Sequence, residues 1–521
     1  AIESRILEIW ATVLQVEILG IHDDFFGLGG HSLKATQIVS RILMTMDVKL
    51  SLQEFFKHTT VARLAEHIRS VEKLDKLLRI QPAPNRETYE LSHAQKRLWL
   101  LDRLGDSASY NVPQAYVIHG DLDVTALRHM LEMTIERHEV LRTTFVDIDG
   151  DPRQKILSAV PFALQEIDLV RSTNPEEDAR GIVEQEAVLP FDLSHPPLLR
   201  VKLIKLEKRK HILTMNMHHI IGDGWSMNIL FREMVELFSS FRAGERHSLV
   251  PLRIQYKDFS EWQNKQGFDR EEKYWLAQLA GNPYGIRLPF DFPPAGDREF
   301  KGGLETRQIE GELLAALRLL AGLREVTLSN LFLALFKLFL FRLTKQEDLC
   351  VGVSVANRNH PDLEYLVGFF VNILPIRTTL SADMDFDALL DRVSQVSYEA
   401  YDHQDYPFDL MVEKLNPDRV ANGQALVNVL YAFQNYADVR VDIPVEGASA
   451  AADNGTGPRF EPFPFSVNTS KFDLTLFAFD DTDRLILHME YDTALFRPET
   501  IQKYLVTLIR FASMVGGGAS E

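Results

Sequence analysis

The chain has 521 residues, 45% hydrophobic and 25% charged, and its 56 basic against 74 acidic side chains give a formal net charge of −18 at pH 7. That length exceeds one hydrophobic core, at roughly 100 to 200 residues per domain, and the composition is that of folded globular protein rather than a disordered class. The acidic balance argues against nucleic-acid and anionic-membrane partners, the single Cys350 excludes an internal disulfide and fits a reducing compartment, and with no signal segment or long uncharged apolar run a cytoplasmic location is expected.

Taken in order, Ile6, Leu7, Ile9, Trp10, Val13 and Leu14 recur at helical spacing between Ser4 and Leu14, and an irregular loop with Gly and Asp follows to His31. A second helix is predicted to start at Ser32. Ser51 and Thr60 stand where N-caps belong, ahead of helical patterns at 52–57 and 61–78. Residues 1–78 therefore read as an all-α four-helix bundle. The two prolines of Gln81-Pro82-Ala83-Pro84-Asn85-Arg86 mark an extended linker, placed at 79–88.

Beyond it helices alternate with strands. Asp123 to Arg137 reads as a helix, Val140 to Asp147 as a strand, and Asp149-Gly150 as a turn into another strand. The runs 198–206 and 211–218 form two strands around the charged turn Lys205 to Lys210, and a helix is predicted from Trp225 to Arg242. A proline-bearing stretch from Leu288 to Pro294 precedes helices at 313–323 and 328–343 and a strand at 349–355. The pattern is an α/β (α+β) body, divided at 89–265 and 266–521. The Gly- and Asp-rich segment Val445 to Pro458 reads as a mobile loop. The start Ala1-Ile2-Glu3 and the trailing Gly516-Gly517-Gly518 suggest a piece of a longer polypeptide.

Two segments carry chemistry. In the first, Ser32 follows Gly29-Gly30-His31 at a predicted helix start, where unpaired backbone N–H groups and the positive end of the helix dipole suit a phosphodiester; the alternative is a plain N-cap. In the second, Met217-His218-His219-Ile220-Ile221-Gly222-Asp223-Gly224 occupies a strand-to-helix loop. Adjacent histidines on a strand end point to opposite faces and there is no HExxH spacing, so no metal is expected. His219 is then the exposed acid–base candidate, because its ordinary pKa near 6.5 allows proton exchange at neutral pH. His218 is its packed structural neighbour. Asp223 is expected to fix the loop by pairing with an arginine, for which Arg358 and Arg142 are the candidates, and Gly222 and Gly224 permit unusual backbone angles. Gly352-Val353-Ser354-Val355-Ala356 approaches a nucleophile elbow but lacks its last glycine and reads as a buried strand.

The wider segments resemble a known family. Asp23-Asp24-Phe25-Phe26-Gly27-Leu28-Gly29-Gly30-His31-Ser32-Leu33 is similar to the attachment motif of peptidyl carrier proteins, and the histidine segment to the HHxxxDG signature of nonribosomal peptide synthetase condensation domains. Further matches follow in order at 92–99, 137–143, 256–259, 367–372 and 403–409. The resemblance implies a carrier domain followed by a condensation domain of two chloramphenicol-acetyltransferase-like halves in a V. It implies 4′-phosphopantetheine on Ser32, an aminoacyl or peptidyl thioester as donor, and His219 at a tunnel between the halves, without a metal. The implied partners are an upstream adenylation domain, downstream adenylation and carrier domains, and a phosphopantetheinyl transferase. His31, where carriers preceding epimerisation domains tend to have Asp, points to direct condensation. Two departures are Gly222, where many members have Ser, and Ala421-Asn422-Gly423-Gln424-Ala425 in place of a late motif. The rival readings are an epimerisation domain of the same superfamily and a non-catalytic platform that recruits partner enzymes.

Overall fold

A computed structural model describes residues 2–16, 19–71, 79–103, 108–281, 285–294, 301–415, 426–435, 459–467, 469–481 and 483–517, with the backbone alone at 32, 33, 108, 242, 243 and 435. The segments 421–425 and 445–458 singled out in the sequence lie outside the described residues.

The first unit has helices α1 (Ile2–Leu14), α2 (Ser32–Met46), α3 (Leu52–Lys57) and α4 (Val61–Ser70). Both predicted caps form. Ser51 Oγ accepts from Glu54 N–H at 3.1 Å while Glu54 Oε2 accepts from Ser51 N–H at 2.8 Å, a reciprocal box, and Thr60 Oγ1 accepts from Arg63 N–H at 3.3 Å. Helix α4 ends at Ser70, short of the predicted Leu78, and residues 72–78 fall outside the description. Trp10, Phe25 and Phe55 form the aromatic core, with Phe25 edge-on to Trp10 at 5.5 Å and to Phe55 at 4.9 Å. Gly30 lies so close to Phe25 that a Cβ would stand 2.4 Å from its carbonyl oxygen, so only glycine lets the loop enter α2 at this angle.

The following body begins with β1 (Tyr89–Glu90), α5 (His93–Arg103), β2 (Asn111–His119) and α6 (Val124–Arg137), then β3 (Thr143–Ile148), β4 (Asp151–Ile156), β5 (Gln165–Asp168) and α7 (Pro175–Ala187). The hairpin β6 (Leu199–Glu207) and β7 (Lys210–His218) leads into α8 (Gly224–Ala243) and α9 (Tyr256–Gln263). One element differs from expectation: residues 139–142 form a 3-10 turn, and the strand starts only at Thr143, because Val140 and Leu141 are both buried instead of alternating.

The second half contains α10 (Asp269–Gln278), β8 (Gly302–Glu310), α11 (Gly311–Leu323), α12 (Leu328–Thr344), β9 (Asp348–Val355), β10 (Asn372–Thr379), α13 (Phe386–Tyr401) and α14 (Phe408–Leu415). It closes with β11 (Val429–Asn435), β12 (Arg459–Pro462), β13 (Leu474–Asp480), β14 (Arg484–Asp492) and α15 (Pro498–Gly517). Its sheet runs β10-β9-β11-β13-β14-β8, while the first half holds β1-β4-β3 and a five-stranded sheet β12-β2-β7-β6-β5. Ser354 sits inside β9, so the elbow-like sequence is a strand.

The two halves exchange segments, so the chain does not divide cleanly at 265/266. Strand β12 crosses to pair antiparallel with β2, Arg459 opposite His119 and Pro462 opposite Tyr116. Conversely Leu363, Leu366 and Phe370 join the core of the first half beside Met227, Leu230 and Tyr256. The helical unit sits on the second half, and their cores form one apolar cluster. Phe56 stacks on Tyr398 at 4.7 Å, Leu52 N–H donates to Asp402 Oδ1 at 3.0 Å, and Arg41 Nη2 donates to Glu364 Oε1 at 2.9 Å.

Candidate active site

Strand β7 delivers His218 as its last residue, and a 3-10 turn over His219–Ile221 carries the chain to α8. His218 is fully buried. Its Nδ1 accepts from Ile220 N–H at 3.1 Å, capping the turn, which places its proton on Nε2, an atom without a partner among the described residues. Burial and the neighbouring cations push its pKa down to about 3, so it is a neutral structural ring.

His219 is half-buried and turns the other way. Its Nδ1–H donates to the Gly222 carbonyl at 2.9 Å, which fixes the tautomer and leaves Nε2 as a proton acceptor. Its ring meets Phe369 of the second half edge-on at 4.8 Å. Desolvation, reinforced by the Lys471 ammonium and opposed by the Asp223 carboxylate, holds this imidazole well below its ordinary pKa. It is therefore neutral at physiological pH.

Asp223 caps α8. Its Oδ1 accepts from Ser226 N–H at 2.8 Å, Ser226 Oγ–H at 2.7 Å and Arg358 Nη2 at 3.1 Å, and its Oδ2 accepts from Phe370 N–H at 3.1 Å. Of the two candidate arginines the structure selects Arg358, whose side chain is 3% exposed against 0% for Asp223. Arg358 also donates to the carbonyls of Leu363 and Leu366, each at 2.6 Å, and lies 4.2 Å from the centre of the Phe370 ring. Arg142 is not at the site: it donates to Leu157 O and faces Glu139. The pairing requires the two halves to meet at this point.

Residues whose roles sequence reasoning did not assign complete the frame, and most lie inside segments already singled out. Gln95, from the 92–99 segment, donates to Ile220 O at 3.1 Å and so holds the histidine turn. Tyr256 donates to Phe369 O at 2.6 Å and meets Ser92 Oγ at 2.9 Å. The 403–409 segment is tied to the second sheet through Asn372, which donates to Gln404 O and Tyr406 O. Lys471 lies in no motif, and no sequence signal pointed to it.

A cavity of about 1050 Å³ is lined by both the helical unit and the body. Gly29, Gly30, His31 and Lys34 line it on one side, and Gly224, Trp225, Asn228 and Arg358 on the other. Ser32 opens the 15-residue α2 at this mouth, after an extended His31 that makes no side-chain cap bond. Gly224, the first residue of α8, thus faces the same space as the start of α2. A second, small cavity shares Asn357 and Val371 with the first and reaches Phe369, against which His219 rests. Among the described residues no group of three or more His, Cys, Asp or Glu is disposed to hold a metal ion, and no single helix is long and apolar enough to cross a membrane.

The family description "Condensation domain" matches residues 85–517, and "Phosphopantetheine attachment site" matches residues 4–68. Tyrocidine synthase 3 of Brevibacillus parabrevis is 37% identical over 96% of the chain, which covers 7% of that protein. Bacitracin synthase 3 of Bacillus licheniformis is 36% identical, with 98% of the chain and 8% of that protein covered. The chain spans between 6% and 19% of the length of eight synthase subunits that it is similar to, these two among them. Among solved structures, the X-domain from teicoplanin biosynthesis superposes with a TM-score of 0.73 and 25% identity, over 85% of this chain and 98% of that one.

Proposed function

The chain belongs to the condensation-domain family and carries a phosphopantetheine attachment domain ahead of that body, and on this premise we propose that it forms peptide bonds in nonribosomal peptide synthesis. Ser32 is the attachment point for 4′-phosphopantetheine. The residues present fit such a group: the first turn of α2 offers backbone N–H groups and no competing side-chain cap, and Lys34 adds positive charge beside a cavity open to the body. When bound, the arm supplies a thiol that presents the acyl donor as an activated thioester.

The remaining work falls to the chain's own residues. Walls contributed by both halves orient donor carbonyl and acceptor amine, a contribution of about 7–11 kcal/mol at most. As the amine nitrogen bonds to the donor carbonyl carbon and that carbon's bond to sulfur breaks, His219 Nε2, neutral and lone-pair-bearing, receives or steadies the proton that the amine gives up, which leaves with the departing thiolate; with an α-amino pKa of roughly 8 part of that amine is neutral at pH 7. Asp223, Arg358 and Ser226 act one step back by holding the loop. The single observation that carries this reading is the Nδ1–H bond to Gly222, which leaves Nε2 available.

The partners that follow are an upstream adenylation domain that loads the carrier, a downstream adenylation domain with its carrier presenting the acceptor, and a phosphopantetheinyl transferase, all in the cytoplasm. Incubation with coenzyme A and that transferase is expected to add the mass of one arm, and Ser32→Ala to abolish the gain. Addition of a carrier-bound aminoacyl thioester to the donor-loaded chain should then give peptide on the acceptor. Exchange of the Cα proton without peptide would indicate the epimerase reading, and neither product would indicate a recruiting platform.

A further inference from the structure

We infer that the seated carrier acts on the catalytic imidazole through one short stretch of the second half, residues 361–370, and that Arg41 and Glu364 are positioning residues for acyl transfer. This rests on the function proposed above.

At one end of the stretch, Arg41 of α2 donates to Glu364 Oε1 at 2.9 Å, with both side chains mostly buried. The backbone carbonyl of that same Glu364 accepts from Trp225 Nε1 at 3.2 Å, and Trp225 directly follows Gly224 of the histidine loop. In the middle, the Arg358 guanidinium holds the carbonyls of Leu363 and Leu366 with one nitrogen and the Asp223 carboxylate with another. At the far end, Gly368 donates its N–H to Ser226 Oγ, Phe370 N–H donates to Asp223, and the Phe369 ring rests against His219.

A single run of backbone is thus gripped by the carrier at its start and by the histidine loop along its length. After the 3-10 turn at 361–363 it joins neither helix nor sheet until β10, so no repeating backbone ladder absorbs a shift at Glu364. Its polar anchors are Arg253 on the Asp362 carboxylate, Trp225 on the Glu364 carbonyl, Tyr256 on the Phe369 carbonyl, and Arg358 and Ser226, the last two being the side chains that also fix Asp223. Releasing the carrier loosens the end of the stretch, and the displacement passes through those shared anchors to the wall and loop that orient His219. The consequence is that docking raises the rate of chemistry beyond merely tethering the donor, a coupling free energy between two sites.

The test uses the full unmodified chain, with a soluble thioester in place of the tethered donor and a carrier-bound acceptor, so that tethering plays no part. Arg41→Glu, Glu364→Arg and the double swap are compared with the parent by peptide-level amide exchange over 218–227 and 361–371, and by kcat and KM for the soluble donor. Each single reversal is expected to speed exchange in both stretches about three- to tenfold and to lower kcat by a similar factor at constant KM, and the swap to restore both. Faster exchange in α2 alone, with 218–227 unchanged, overturns the inference, as does an effect confined to KM. A parent that makes no peptide defeats the condensation reading instead, while the exchange pattern still decides the coupling.

Discussion

Arg358→Ala is the sharpest perturbation of the inter-half joint. It takes the guanidinium away from a carboxylate with no exposed side-chain area, leaving Asp223 with Ser226 N–H, Ser226 Oγ–H and Phe370 N–H. Breaking a buried ion pair by deleting one partner costs about 3–5 kcal/mol, because the remaining charge stays desolvated. The carbonyls of Leu363 and Leu366 lose their donor as well. These losses share one side chain and do not add, so about 4 kcal/mol is expected for the variant, near a thousandfold in the unfolding equilibrium. Asp223→Asn removes the charge but keeps an acceptor for the cap, so the double variant with Arg358→Met should be less destabilised than the sum of the singles by about 2–3 kcal/mol. Urea unfolding followed by tryptophan fluorescence measures all the variants against the parent. A loss within about 0.5 kcal/mol of the parent for Arg358→Ala, the range of ordinary surface substitutions, would refute the claim that this pair locks the halves together.

Three further outcomes follow. Because His219 is held well below its ordinary pKa by burial and Lys471, the rate of condensation with a loaded donor should show no imidazole inflection between pH 5.5 and 7.5 and should follow ionisation of the acceptor amine; an inflection near 6.5 that vanishes in His219→Ala contradicts this. Gly222 has extended backbone, and a Cβ there would stand 2.5 Å from Met217 Cε, the end of a flexible side chain, so Gly222→Ser should cost no more than about 1 kcal/mol as that end swings aside, read from denaturation midpoints; a loss above about 3 kcal/mol would show that Met217 cannot yield. Lys337 is buried in α12, donating to Ile376 O at 2.6 Å and Thr378 Oγ1 at 2.9 Å, and desolvation lowers its pKa to about 7. The unfolded lysine keeps its proton to about pH 10.4, so the unfolded state binds more protons between those values and this group's contribution to stability rises with pH across that window. Lys337→Met should flatten that rise in stability measured from pH 7 to 9.5; an unchanged slope would show that the lysine is not buried as described.

Much of this architecture is legible in the sequence where the signal is local. The β6–β7 hairpin, the start of α2 at Ser32 and the caps at Ser51 and Thr60 depend on neighbours a few residues away, and they form as read. The division into halves is not local. Strand β12 has four residues, none of them buried, so no alternation announced that it crosses to β2. Arg358 and Arg142 were equivalent by residue type, and only the three-dimensional meeting of 358 with 223 separates them. The same holds for Arg41 and Glu364, which lie 323 positions apart. Tyr256 and Gln95 stood in plain view within recognised segments, but nothing in their spacing said that they brace Phe369 and Ile220.

The most direct measurement is single-turnover peptide formation by the chain loaded with a donor on Ser32 and mixed with a carrier-bound acceptor, comparing the parent with His219→Ala. The proposed role of Nε2 predicts a loss of about 10²–10⁴-fold in the variant, the usual range for a positioned proton-transfer group, with donor loading and thermal stability unaltered. Peptide formed at the parental rate by the folded, fully loaded variant would remove His219 from the reaction.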